Sequence, residues 1–157
     1  VIHGAKLAKQ RGKKVILNPA PAMALPAELL GYLHVITPNK TETEMLTGFK
    51  INDIHSTKRA AEKIREKGVA NVIITLGSQG AYIYNDDGGR LIPTPEVKAV
   101  DTTAAGDVFN GALAVAISEG EGLDAAVEFA NRAAALSVTK MGAQASTPFR
   151  KELIQTL

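Results

Sequence analysis

The stretch Val72-Ile73-Ile74-Thr75-Leu76 is an apolar, β-branched run that ends at the turn Gly77-Ser78-Gln79-Gly80. It predicts a strand buried on both faces, because a strand with one wet face would alternate apolar and polar residues. Two similar runs, Val15-Ile16-Leu17 and Leu33 to Thr37, also end at proline-containing turns. Buried strands of this kind are typical of a largely parallel sheet that is covered by helices.

Segments with helical periodicity alternate with these strands. Helices are predicted near residues 1–11, after Pro26, from Asn39 through Leu46, from Ser56 to Lys67, from Gly106 to Glu119 and from Leu123 to Thr139. Two more strands are predicted, at Ala81–Tyr84 and near Val97–Val100, with a hairpin turn at Asn85–Gly89. Together these elements predict a three-layer α/β fold with a mostly parallel central sheet. Ligands bind such sheets at the carboxyl ends of the strands, so the loops there are candidate sites.

The composition narrows the class of protein. A chain of 157 residues with 45% hydrophobic content is globular and has the usual length of one domain. Lysine and arginine (18) nearly balance aspartate and glutamate (16), and no dense basic run with aromatic residues is present, so we expect no nucleic-acid partner. The absence of cysteine excludes disulfides and thiolate metal sites. Without an apolar run of membrane length, we expect no membrane partner and a cytoplasmic location.

The segment with the most chemistry is Asp101-Thr102-Thr103-Ala104-Ala105-Gly106-Asp107-Val108-Phe109-Asn110-Gly111. Small side chains at residues 104–106 let a ligand approach the backbone, where the N–H groups of a helix start can bind an anion. A carboxylate such as Asp107 is unfavourable there unless it accepts a proton from an attacking hydroxyl, so the segment predicts phosphoryl transfer. The alternative is that Asp101 or Thr103 merely caps the helix, with Asp107 favoured by its dipole.

Continued through Ala112-Leu113, this segment resembles the C-terminal signature of the ribokinase (PfkB-type) carbohydrate kinases. The resemblance implies a ribokinase-like α/β/α fold and makes residues 1–157 a single nucleotide-binding region, the C-terminal half of a longer sugar kinase. The half with the sugar motif and the lid would then be absent from this chain. The implied reaction is ATP-dependent phosphorylation of D-ribose to ribose 5-phosphate. Asp107 would be the base and a substrate contact, and the N–H groups around Ala104, Ala105 and Gly106 would form the anion hole.

Two other segments resemble the nucleotide-binding parts of that family. Asn39-Lys40-Thr41-Glu42 is similar to its N-x-x-E element, which implies that Glu42 orders water around Mg²⁺ and that Asn39 lies near the phosphates. Taken alone, Glu42 is typical of a surface acid that interacts with a helix dipole. The strand end and G-x-x-G turn resemble the family's ATP loop. The implied nucleotide contacts are Asn39, Thr75, Leu76, Gly77, Ser78, Gln79, Gly80, Gly106, Asp107 and Asn131.

A last segment, Thr139 to Ser146, is similar to the family's G-A-Q-x-S segment beside a monovalent-cation site. The resemblance implies K⁺ as the activating ion, bound largely through carbonyl oxygens. Its ligands would be Asp101, Thr103, Ser137, Lys140, Gly142 and Ser146. The alternative is that Gly142 only caps the preceding helix.

The resemblance leaves the sugar open, because fructokinases and nucleoside kinases share the loop that contains Asp107. D-ribose and ATP are the expected partners, and a homodimer is expected for the full-length enzyme. A noncatalytic nucleotide-binding or interaction module is the rival from another class. Asp107 argues against that rival, because simple phosphate binding would be stronger without a second negative charge.

Overall fold

The structure is a computed structural model that describes residues 1–156 and forms two compact units. Unit 1 comprises Val1–Leu76 and Tyr82–Leu91, and unit 2 comprises Gly77–Ala81 and the chain from Ile92 onward. Among the described residues, no helix combines the length and the hydropathy that a membrane span requires.

Helices alternate with parallel strands from Ile2 to Thr75, and two more strands follow. The elements are α1 (Ile2–Gln10), β1 (Ile16–Leu17), α2 (Ala27–Leu30), β2 (Val35–Ile36), α3 (Lys40–Thr47), α4 (Ile54–Arg65), β3 (Asn71–Thr75), β4 (Ala81–Asn85) and β5 (Gly88–Ile92). The strand order is β1-β2-β3-β4-β5, and β1, β2 and β3 are parallel. Two residues, Asp86 and Asp87, connect β4 to β5, which only an antiparallel pair allows. The sheet is therefore mixed, and the predicted α/β fold is confirmed.

The strand that decides the fold is buried as its composition predicts. Val72, Ile73 and Ile74 of β3 are each 0% exposed. Val72 and Ile74 belong to one core cluster with Ile36 of β2 and Ile64 of α4. Burial of each such side chain contributes about 1.5–3 kcal/mol, so this cluster fixes the register of β2 against β3.

Unit 2 is built around a pair of packed helices. Its regular elements are a one-turn 3₁₀ helix at Gly77–Gln79, α5 (Ala105–Ser118), α6 (Leu123–Ser137) and α7 (Arg150–Thr156). Helix α6 packs against both α5 and α7. The small core of this unit contains Val108 of α5, Ala133 and Leu136 of α6, and Leu153 of α7. The sequence predicts α5 and α6 but misses α7.

The prediction of a strand near Val97–Val100 is wrong, because residues 93–100 form no helix or strand. Pro93 and Pro95 lack the N–H groups that a ladder needs, and Val97 and Val100 are 37% and 57% exposed. Alternating valines therefore do not cover a core here. The N–H of Val100 donates instead to the carbonyl of Val138, at 2.7 Å.

Asp101 joins two loops of unit 2. Its Oδ1 accepts a hydrogen bond from the N–H of Thr103, and its Oδ2 accepts one from the N–H of Gly142, both at 2.9 Å. The Thr103 side chain, followed by these two N–H groups, lowers the pKa of Asp101 from 3.8 to about 2. The carboxylate thus holds the segment before α5 against the segment after α6.

Gly80→Ala is expected to destabilise the protein by more than about 3 kcal/mol. Gly80 has φ +101°, and an added Cβ would lie 2.1 Å from the Ile92 carbonyl oxygen and 2.9 Å from Pro93 backbone atoms. Gly88→Ala is the matched control, because φ is +94° there but no described atom lies within 4 Å of the new Cβ. It should cost only about 1–2 kcal/mol for the left-handed backbone. Urea unfolding measures both, and equal losses would contradict the close approach at Gly80.

Asp101→Asn is expected to change how stability depends on pH. Because the folded pKa of about 2 lies below the ordinary 3.8, the ionised carboxylate stabilises the fold above pH ~4, and this contribution is lost as pH falls toward 2. The difference in free energy of unfolding between wild type and variant should be full near pH ~6 and shrink between pH ~4 and ~2. Urea titrations at several pH values test this, with Glu128→Gln on the exposed side of α6 as control. A difference that does not vary with pH would refute the linkage.

Candidate functional site

In unit 1, the carboxyl ends of β2 and β3 bring together Asn39, Glu42 and Thr75. Asn39 forms an isolated parallel bridge with Thr75, whose N–H donates to the carbonyl of Pro38 at 3.0 Å. Asn39 is also the N-cap of α3. Its Oδ1 accepts from the N–H of Glu42, and Glu42 Oε2 accepts from the N–H of Asn39, both at 2.8 Å. This reciprocal capping box fixes both side chains at the end of β2.

Glu42 is not the surface acid that its position alone would indicate. It is only 8% exposed, and one of its oxygens is committed to the capping box. Glu42 Oε1 and Asn39 Nδ2 have no hydrogen-bond partner within residues 1–156. The pair therefore keeps one acceptor and one amide donor for a ligand or for water. Carboxylate oxygen is the donor type that Mg²⁺ prefers, so the group fits this residue.

In unit 2, the predicted ATP loop forms a tight turn. Gly77 and Gly80 have φ +59° and +101°, and the N–H of Gly80 donates to the carbonyl of Gly77 at 3.0 Å. Ser78 and Gln79 between them are exposed. Both glycines therefore adopt the left-handed conformation that the G-x-x-G pattern predicts. The preceding residue, Leu76, is half-buried at the end of unit 1.

Asn131 has a structural task that sequence reasoning missed. It is 4% exposed, and its Nδ2 donates to the carbonyls of Ile92 at 2.9 Å and Pro93 at 3.2 Å. Thr94 Oγ1 in turn donates to the carbonyl of Asn131 at 3.3 Å. Because both amide protons are used, Asn131 holds the chain that leaves β5 against α6. Gly80 approaches the same two residues, Ile92 and Pro93, so the Gly77–Gly80 turn packs against this segment.

Helix α5 starts without a side-chain cap. Its N-cap is Ala104, with φ +61° and ψ +11°, and neither Asp101 nor Thr103 caps it, so the capping alternative is wrong. The N–H of Ala105 donates to the carbonyl of Thr102 at 3.3 Å. The N–H groups of Ala104, Gly106 and Asp107 have no acceptor within residues 1–156. These N–H groups and the positive end of the helix dipole make this turn suitable for an anion.

Asp107 is the third residue of α5 and is exposed. Its carboxylate makes no hydrogen bond or ion pair within the described part of the chain. Asp107 lines a groove of about 460 Å³, together with Gly111, Val115 and Phe129. A carboxylate that no protein group occupies can accept a proton from a ligand hydroxyl.

The predicted K⁺ ligands are only partly assembled. Asp101, Thr103 and Gly142 meet through the two hydrogen bonds of the Asp101 carboxylate. Ser137 and Ser146 are each 1% exposed, and their hydroxyls donate to the carbonyls of Ala134 and Ala143. A hard cation takes oxygen ligands, and these loops offer hydroxyl, carbonyl and carboxylate oxygens, so the donor types fit K⁺.

Two further residues of the same segment are Lys140 and Gly142. Lys140 sends its Nζ to Glu152 at 2.7 Å, so only its carbonyl can serve as a cation ligand. Gly142, with φ +92°, does not cap α6, which ends at Ser137 with Val138 as C-cap. The helix-cap alternative is therefore wrong. Among residues 1–156, no cluster of three or more His, Cys, Asp or Glu side chains can hold a metal ion.

The comparisons with known proteins agree with one another. The family model described as "pfkB family carbohydrate kinase" matches residues 2–150. A ribokinase from Haemophilus influenzae is 47% identical over 153 residues, which cover 98% of this chain and 50% of that protein. The crystal structure of a Thermotoga maritima ribokinase superposes with a TM-score of 0.87 at 46% identity, covering 97% of this chain and 51% of that one.

A structure of Arabidopsis thaliana ribokinase complexed with ribose and ATP superposes with a TM-score of 0.93 at 35% identity, covering 98% of this chain and 50% of that one. The chain thus spans about half the length of the relatives it matches. The family match covers most of the chain, and it includes the capping box, the glycine turn and the loop before α5. The chain belongs to the pfkB family of carbohydrate kinases.

Proposed function

We propose that the chain is the nucleotide-binding, C-terminal half of an ATP-dependent ribokinase. The observation that carries the proposal is the Asp107 carboxylate, which has no protein partner among the described residues and sits on the same helical turn as uncommitted N–H groups. An anion site gains nothing from such a charge unless it takes part in proton transfer. The similarity to ribokinases, one of them solved with ribose and ATP, supports this substrate pair.

In the proposed reaction, the 5-hydroxyl oxygen of D-ribose attacks the γ-phosphorus of ATP. The new O–P bond forms as the bond from phosphorus to the β,γ-bridging oxygen breaks, and the hydroxyl proton moves to Asp107. The products are ribose 5-phosphate and ADP. The N–H groups of Ala104 and Gly106 bind the transferring phosphoryl oxygens, which gain charge in the transition state. The Ala105 N–H is already paired with Thr102 and contributes less.

The proposal assigns the nucleotide to the loops that the resemblance indicates. Residues 75–80 line the ribose and the phosphates of ATP, because Gly77 and Gly80 expose the backbone there. Asn39 supplies its Nδ2 to a phosphate oxygen. Asn131 is a further proposed nucleotide contact, and it also holds Ile92 and Pro93 in place.

The proposal also includes two metal ions. Mg²⁺ would be held through water by the remaining oxygen of Glu42, and it would neutralise charge on the ATP phosphates. K⁺ would bind oxygen atoms of Asp101, Thr103, Ser137, Lys140, Gly142 and Ser146. It would add positive potential near the anion site.

A homodimer and a cytoplasmic location complete the proposal. Fructokinase and nucleoside kinase activities are its alternatives within the family, and a noncatalytic nucleotide-binding module is the alternative outside it. Assays of the complete protein with D-ribose, fructose and adenosine distinguish these possibilities. Phosphorylation of none of them would favour the noncatalytic module.

Asp107→Asn in the complete protein is expected to lower kcat by about 10²–10⁴-fold, because the side chain can no longer accept the proton. The KM for ATP should change little, since Asp107 acts on the sugar hydroxyl. Coupled measurement of ADP release gives both constants. Glu128→Gln, an exposed acid of α6, is the control. Unchanged turnover in Asp107→Asn would rule out its role as base.

Calorimetric titration of this chain with Mg-ATP, after circular dichroism shows it folded, is expected to give saturable binding. The binding should be tighter in K⁺ than in Na⁺ buffer, because the larger ion suits a site made of carbonyl oxygens. Asp101→Asn should remove most of the difference between the two salts. Equal affinity in both would contradict the K⁺ assignment while leaving the nucleotide site intact.

A further inference from the structure

We propose that Glu152 is a positioning residue that fixes, through Lys140 and Gly142, the loop that carries Asp107. The inference rests on the proposed function, since the loop is the proposed anion site. It concerns residues of α7 and of the segment after α6 that make no contact with the reacting groups.

Two hydrogen bonds anchor the Glu152 carboxylate. One of its oxygens, Oε1, accepts from Lys140 Nζ at 2.7 Å, and Oε2 accepts from the N–H of Phe149 at 2.6 Å. The Lys140 hydrogen bond, followed by that of Phe149, lowers the pKa of Glu152. Through these two hydrogen bonds, the carboxylate connects the start of α7 to the segment after α6.

Gly142 and Asp101 connect the segment of Lys140 to the loop before α5. Lys140 lies two residues before Gly142, and its own N–H donates to the carbonyl of Ser137 at 3.1 Å. The N–H of Gly142 donates to Asp101 Oδ2, and the N–H of Thr103 donates to Asp101 Oδ1. Thr103 directly precedes Ala104, the N-cap of α5. A shift of Lys140 is thus passed on to the turn where the anion site begins.

Helix α7 also packs against α5, so Glu152 has a defined place relative to Asp107. Leu153 is 5% exposed and belongs to the cluster that contains Val108, the neighbour of Asp107. The carbonyl of Leu153 accepts from Arg132 Nη2 of α6 at 2.6 Å. The first turn of α7 therefore contacts α5 through Leu153 and the segment after α6 through Glu152.

The expected effect is on catalysis more than on stability. The Lys140 and Glu152 side chains are 40% and 31% exposed, and ion pairs with that exposure add little to the free energy of unfolding. Phosphoryl transfer, in contrast, depends on N–H groups that are already in place when charge develops. A small displacement of the loop should therefore lower kcat before it lowers stability.

The test uses Glu152→Gln and Lys140→Gln in the complete protein. The first keeps an amide oxygen for the N–H of Phe149, and the second leaves Glu152 untouched. Each should lower kcat by about threefold to fivefold, the range that one partly exposed ion pair allows, with little change in KM for ATP. The double variant should be no worse than either single one. In an Asp101→Asn background, Glu152→Gln should have no further effect, because the path to the loop is already cut.

Glu119→Gln is the matched control. It removes the other ion pair of α7, in which Arg150 donates to both oxygens of Glu119 at 2.6 and 2.5 Å, but it does not reach the segment of Lys140. An equal loss of kcat in this control would overturn the proposal, since any loosening of α7 would then suffice. Additive losses in Glu152→Gln and Asp101→Asn would overturn it as well.

Amide hydrogen exchange separates this inference from the proposed function. In Glu152→Gln of this chain, the N–H groups of Gly142 and Thr103 should exchange about threefold to fivefold faster, whether or not the protein has kinase activity. If the wild type transfers no phosphate, the proposed function fails and the exchange rates still decide the positioning. Unchanged exchange at both residues would show that Glu152 does not act on the loop.

Discussion

The carboxylate of Asp101 is the constraint on which the order of unit 2 depends. It satisfies two backbone N–H groups from segments about 40 residues apart, Thr103 before α5 and Gly142 after α6. The carbonyl of Val138 adds to this by accepting from the N–H groups of both Val100 and Asp101. With these bonds in place, Ala104 is held in a left-handed conformation that costs about 1–2 kcal/mol for a residue with a Cβ. That strain is stable only because the flanking segments are fixed.

Three acids of the candidate site illustrate how neighbours determine the role of a carboxylate. Asp101 binds two N–H groups, and Glu42 binds the N–H of its own N-cap, so both are structural before they meet any ligand. Asp107 accepts no such hydrogen bond from the described residues, although it lies on the same short stretch of chain as Asp101. A carboxylate that accepts no hydrogen bond from the protein keeps its lone pairs for a substrate hydroxyl. The contrast supports the proposed role of Asp107 in proton transfer and gives scaffold roles to Asp101 and Glu42.

Local patterns predicted most of the fold but few of its long-range bonds. Sequence alone predicts the strand β3, the helix α5 and the acid-rich start of α3, because burial or capping acts within a few residues there. The strand predicted from the valines near Val97–Val100 is absent, because alternation of apolar residues does not show whether a core is present to cover them. Helix α7 was missed since its first turn is held by Glu152 at a Phe149 N–H, and phenylalanine is not a capping residue that the sequence would signal.

The same limit applies to Asn131. The family resemblance implies a nucleotide contact at Asn131 but not its structural role, in which its amide protons bind carbonyls nearly 40 residues earlier in the chain. Such a hydrogen bond produces no periodic pattern in the sequence, because it depends on where the chain that leaves β5 passes α6. The consequence for function is physical. Gly80 can approach Ile92 and Pro93 closely only if those carbonyls stay where Asn131 holds them, so Asn131 also sets the shape of the Gly77–Gly80 turn. In the proposed kinase, precision at the phosphates therefore originates in buried amide and carboxylate groups of the scaffold rather than in the glycines alone.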